Sequence, residues 1–123
     1  MTNEPFYHIK DFQSSSQMFS VEMINNPAIY KGHFPGFPIT PGVLSIQMIV
    51  DCAGKILNKT LQVFSIKQCK FKSPIYPQQS PILSIIFNKI EIDKTNDHIT
   101  CNASIKNTNN LDFLTITCIL ISL

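Results

Sequence analysis

Polar and apolar residues alternate from Gln17 to Ile24, the period of a strand with one face against a core. Four longer stretches, Leu61 to Phe71, Pro81 to Ile92, His98 to Lys106 and Leu111 to Ser122, are rich in Ile, Val, Phe and Thr and predict further strands. Lys94-Thr95-Asn96-Asp97 and Asn107-Thr108-Asn109-Asn110 separate the last three. Asn and Asp tolerate left-handed backbone angles, so both segments predict hairpin turns and the second half predicts an antiparallel meander. Between Val43 and Leu57 the period changes. The chain is apolar nearly all round there, and Thr40-Pro41 offers a capping hydroxyl followed by proline at the first helical position. An all-round apolar pattern predicts a buried helix. Its main polar exceptions, Gln47, Asp51 and Lys55 or Asn58, recur about once per turn and form a single stripe. The expectation is an α+β architecture, with a sheet of about five or six strands wrapped around one long central helix. Met1 to Phe12 mixes charges with aromatics and is assigned no element.

Composition narrows the picture. A chain of 123 residues has room for one domain, 1–123, and for a core that removes ~65% of its unfolded surface from water. Hydrophobic residues make up 44% and charged residues 15%, which excludes a disordered chain and leaves little charge to cover the outside. Some apolar surface is therefore expected to meet another subunit. The ten basic residues are all Lys and the net charge is only +2, so no guanidinium fork is available for phosphates or guanine edges and nucleic acid is a poor partner. Residues 32–50 carry no formal charge with His33 neutral, but Pro35, Pro38 and Pro41 interrupt them, and no membrane helix fits. The start of the chain lacks an apolar segment of signal-peptide type. Cys52, Cys69, Cys101 and Cys118 show neither a CxxC pair nor zinc spacing. They are read as reduced, mostly buried thiols of a cytoplasmic protein, with no metal.

Chemistry concentrates between Gly32 and Leu44. Three prolines stiffen the loop that carries His33 and lead it into the helix. A rigid connector whose histidine satisfies a backbone carbonyl is the simpler account. The helix start adds a second feature: the N–H groups of Gly42 and Val43 are unpaired by the helix and sit at its positive end. Gly42 has no side chain to obstruct a ligand, although Thr40 competes as a cap. A held base beside such donors suits removal of a proton alpha to a carbonyl.

The run Gly32-His33-Phe34-Pro35-Gly36-x-Pro38-Ile39-x-Pro41-Gly42-Val43-Leu44 resembles the signature of the beta-hydroxyacyl-acyl carrier protein dehydratases of bacterial fatty-acid synthesis. Lys70-Phe71-Lys72-Ser73-Pro74-Ile75-Tyr76-Pro77 resembles that family's next strand and turn. The resemblance covers residues 17–92 and implies a hotdog fold working as a homodimer, with active sites at the subunit interface. It implies dehydration of a 3-hydroxyacyl thioester, carried by phosphopantetheine on acyl carrier protein, to the trans-2-enoyl thioester. His33 matches the family's catalytic histidine and Gly42 its oxyanion-binding amide. Phe34, Pro35, Gly36 and Val43 are expected to line the substrate. The catalytic Glu or Asp of the family corresponds to Gln47, and the family's glutamine one turn later corresponds to Asp51, so amide and acid are exchanged along the stripe. Gln47 can hydrogen-bond a hydroxyl but cannot deliver a proton. No cofactor is implied, because the thioester itself acidifies the alpha carbon. Lys55, Lys59, Lys67, Lys70 and Lys72 would offer a basic patch to an acidic carrier protein. His8 and His98 match nothing in the motif. The alternatives are a non-catalytic acyl-binding or partner subunit of a dehydratase, and a hotdog acyl thioesterase in which Asp51 activates water or attacks the carbonyl.

Overall fold

The computed structural model of the chain describes residues 6–24, 40 and 42–123. Among the described residues six strands and one helix follow one another: β1 (Tyr7–Gln13), β2 (Met18–Met23), α1 (Gly42–Leu57), β3 (Leu61–Phe71), β4 (Ile82–Asp93), β5 (His98–Asn107) and β6 (Asp112–Ser122). All pairings are antiparallel and the sheet order is β1-β2-β4-β5-β6-β3. The β4-β5-β6 meander forms where expected. Its two turns carry left-handed residues, Asp97 and Asn110, with φ of 57° and 68°.

Alternation decides which face of the sheet is inside. Phe19 and Val21 of β2, Leu83 and Ile85 of β4, Ile99 and Ile105 of β5, and Ile116 and Leu120 of β6 point one way and are buried together with Met48, Ile49, Cys52 and Ala53 of α1. The alternate residues face outward, and several of them, Ser84, Thr100, Asn102, Thr115 and Thr117 among them, are polar. There the Asn88 Nδ2 donates to Asn102 Oδ1 at 2.9 Å, and the Asn102 Nδ2 to Thr117 Oγ1 at 2.7 Å. One face of the sheet therefore holds the helix and the other holds an amide and hydroxyl ladder.

Two expectations change. β1 occupies part of the segment assigned no element, and pairs with β2 through a turn in which Gln17 takes a φ of 49°. Only Tyr7 and Ile9 of β1 are partly covered, so its alternation is too short to stand out. The helix is not enclosed on all sides. Val43 is 73% exposed and Gln47 and Lys55 are exposed, so Val43 extends the polar stripe by one turn.

The end of α1 is closed by backbone geometry. The Lys59 N–H donates to the Gly54 carbonyl at 3.0 Å while Asn58 sits at a φ of 54°, the pairing that ends a helix with a left-handed residue. Among the described residues no helix is long and apolar enough to cross a membrane.

Candidate functional site

The exposed stripe of α1 is hydrogen-bonded along its length. The Gln47 Nε2 donates to Asp51 Oδ1 at 2.7 Å, one helical turn away. The other carboxylate oxygen, Oδ2, accepts the Tyr7 hydroxyl at 2.6 Å, a bond that crosses from β1 to the helix. Tyr7 is half-buried, with its ring centroid 4.9 Å from that of Phe6. Burial raises the proton affinity of its phenol above the ordinary value, and the bond to Asp51 raises it further. Tyr7 was not legible as a site residue, because the stretch around it has no strong period and its partner lies far along the chain. The short alternation Tyr7-His8-Ile9 is the trace of it in the sequence, and in the structure Tyr7 and Ile9 are partly covered.

These groups line a groove of about 810 Å³ that runs along the helix toward Lys55, Lys59 and the first residues of β3. Cys52, next to Asp51 but turned into the core, has its thiol pushed up to about 12 by burial and then by that carboxylate. Two lysines of the expected basic patch, Lys55 and Lys59, line this groove, and Lys67 and Lys70 are exposed on β3. Lys72 pairs instead with Asp112 at 3.4 Å.

Gly42 lies elsewhere. It shares a second cavity, of about 300 Å³, with Thr40, Ser45, Phe71, Ile75 and Phe113. The Thr40 N–H donates to the Ile75 carbonyl at 2.8 Å, tying the helix entrance to the segment after β3. A Cβ at position 42 would fall 2.8 and 2.9 Å from two ring carbons of Phe71, so glycine is what lets this ring lie against the helix start. Nine residues of helix, about 13 Å along the axis, separate Gly42 from Asp51. The structure thus brings Gln47 and Asp51 together, adds Tyr7, and leaves Gly42 and Asp51 in different cavities of one protomer. His33, Phe34, Pro35 and Gly36 lie outside the described residues. His8 is exposed, and His98 packs against Phe64 with ring centroids 4.7 Å apart. Among the described residues no three His, Cys, Asp or Glu side chains cluster in a way that could hold a metal ion.

Several known proteins share this sequence pattern and this architecture. Residues 10–111 match the sequence profile of the ApeI-like family, described as ApeI dehydratase. The 3-hydroxyacyl-(acyl-carrier-protein) dehydratase FabZ of Koribacter versatilis is 33% identical over 78 residues, covering 56% of this chain and 50% of that protein. FabZ of Hydrogenobaculum is 31% identical over 93 residues, 68% of this chain and 61% of its own length. FabZ of Sodalis glossinidius is 29% identical over 114 residues, 78% and 76% of the two chains. The chain therefore spans half to three-fifths of the first two of these relatives. Among solved structures, the dehydratase heterocomplex ApeI:P of Xenorhabdus doucetiae superposes with a TM-score of 0.57 at 21% identity, over 96% of this chain and 98% of that one. A thioesterase of Haemophilus influenzae superposes with a TM-score of 0.59 at 14% identity, over 95% and 79%. Likeness at these identities establishes the hotdog fold, while the profile match over most of the chain establishes descent: the chain belongs to the ApeI-like dehydratase family.

Proposed function

We infer that the chain removes water from a 3-hydroxyacyl thioester carried on acyl carrier protein, giving the trans-2-enoyl thioester. One observation carries this reading: in a dehydratase-family chain, the polar stripe of the helix presents a hydrogen-bonded carboxylate and amide, Asp51 and Gln47, to an open groove. In the reaction His33 takes the proton from C2, and the Gly42 N–H binds the thioester oxygen as negative charge develops on it. The C3–O bond breaks, C2 and C3 become doubly bonded, and the hydroxyl leaves as water with a proton supplied by Asp51, directly or through a water, while Gln47 hydrogen-bonds the hydroxyl. Phe34, Pro35, Gly36 and Val43 line the acyl chain. Since Gly42 and Asp51 lie in different cavities of one protomer, we place the working site between two copies of the chain. The exposed lysines steer the acidic carrier protein. The protein acts as a single-domain homodimer in the cytoplasm, in fatty-acid or related lipid synthesis, and needs no cofactor.

The test is to incubate purified protein with 3-hydroxyacyl and enoyl thioesters of several chain lengths on acyl carrier protein, following enoyl absorbance and free thiol. Interconversion without free thiol is expected, and thiol release would indicate a thioesterase instead. His33→Ala should lose at least ~10²-fold. Asp51→Asn should abolish the activity if the carboxylate handles the proton, and Gln47→Glu should raise it. A second reading is favoured by Gln47 itself, an amide that delivers no proton: the chain is a partner subunit that completes another chain's site. It stands alone if the wild type is inactive at every chain length and Gln47→Glu gains nothing.

A further inference from the structure

The hydrogen bonds around Asp51 constrain more than Asp51. An ionised carboxylate only accepts, so each of its oxygens here must face a donor. Oδ2 faces the Tyr7 hydroxyl at 2.6 Å, within the short range of charge-assisted O–H···O bonds, and Oδ1 faces the Gln47 amide at 2.7 Å. That second contact decides which way the amide points. Its NH₂ end is bound to Asp51, and its carbonyl oxygen has no hydrogen-bond donor among the described residues. Tyr7 is what keeps Oδ2 occupied. Lys55, one turn further along the same stripe, lines the same groove and is the cation best placed to draw a released carboxylate away from Gln47.

We propose that Tyr7 is a positioning residue of this site: by holding Asp51 from across the groove it fixes the Gln47 amide with its carbonyl oxygen left to accept the 3-hydroxyl hydrogen of the substrate. The positioning concerns the molecule's own hydrogen bonds. The identity of the hydroxyl that is accepted rests on the dehydratase reading above. Tyr7→Phe keeps the ring that packs on Phe6 and removes only the donor.

The decisive readout is the side-chain amide pair of Gln47 in ¹H–¹⁵N spectra of the full chain, assigned by its disappearance in Gln47→Glu. The wild type should show one amide proton shifted downfield by its bond to the carboxylate, and Tyr7→Phe should lose that shift. An unchanged pair in folded Tyr7→Phe overturns the proposal. A second measurement leaves Tyr7 in place: Asp51→Ala should lose the same downfield shift of the Gln47 pair, and an unchanged pair there overturns the proposal. On 3-hydroxyacyl thioesters, Tyr7→Phe should lower kcat about 10-fold or more, since a misplaced group costs up to ~10²-fold, while KM stays nearly unchanged. Loss of the amide shift in a protein that turns over no 3-hydroxyacyl thioester would sink the dehydratase reading and leave the positioning intact. Normal turnover with wild-type kcat in Tyr7→Phe would sink the positioning alone.

Discussion

Cys52 makes the protein sensitive to alkali. Its thiol is pushed up to about 12 in the fold, whereas in an unfolded chain it gives up its proton near pH 8.5–9. Above that point the unfolded form holds fewer protons than the folded one, so stability falls as pH rises toward 12, by up to about 1.4 kcal/mol per pH unit for this thiol. Tyr7, also raised, adds a loss of the same sign at higher pH. Denaturant unfolding should therefore give a flat stability from pH 7 to about 8.5 and a decline beyond it, and a rise would contradict the burial described. The thiols should also differ in reactivity. Cys52, Cys101 and Cys118 are fully buried and Cys69 is partly covered, so a thiol reagent should modify Cys69 at most in the native protein and all four after unfolding. At this scale the stripe of Gln47 and Asp51 was readable, because a four-residue spacing on an apolar helix is a property of sequence alone. The third member, Tyr7, was not, because its bond to Asp51 exists only once β1 is laid beside β2 and brought over the helix.

Glycine to alanine inside a helix ordinarily stabilises by about 1 kcal/mol. At position 54 the sign should reverse. A Cβ there would lie 2.5 Å from the Lys59 carbonyl oxygen, a backbone atom held by the closure of the helix end. Gly54→Ala should cost about 1–3 kcal/mol, as overpacking does, and thermal unfolding of the variant checks it. The strands and the two meander turns followed from the sequence because each signal was local: β-branched runs bounded by Asn and Asp. The bounds of β3, Leu61–Phe71, match the expected stretch residue for residue. The helix was legible in extent but not in surroundings. Its apolar residues do not say which of them meet the sheet and which stay outside, and Val43 is of the second kind.

β3 lies at one end of the sheet and carries exposed Phe64, Ile66 and Phe71. A strand edge with that much apolar surface invites pairing with another chain. For the proposed dimer, Phe64→Lys should shift the mass seen by light scattering toward the monomer. The melting temperature of the wild type should rise with protein concentration, as for any folded form stabilised by association. The place of β3 has a further consequence, in the order of events during folding. β4, β5 and β6 are sequence neighbours joined by short turns, and hairpins of that kind form in roughly microseconds. β3 precedes all three, yet among the described residues its only neighbour in the sheet is β6, with Leu61 opposite Ser122 and Phe71 opposite Leu114. Closing that pair means closing a loop around the whole meander, the kind of non-local step that makes folding slow. On a growing chain, β3 emerges with its aromatic residues uncovered and waits for the strand made last among the six. A chain cut short before Asp112 would leave both edges of β3 without a partner in the sheet, and such fragments should aggregate where the longer chain folds.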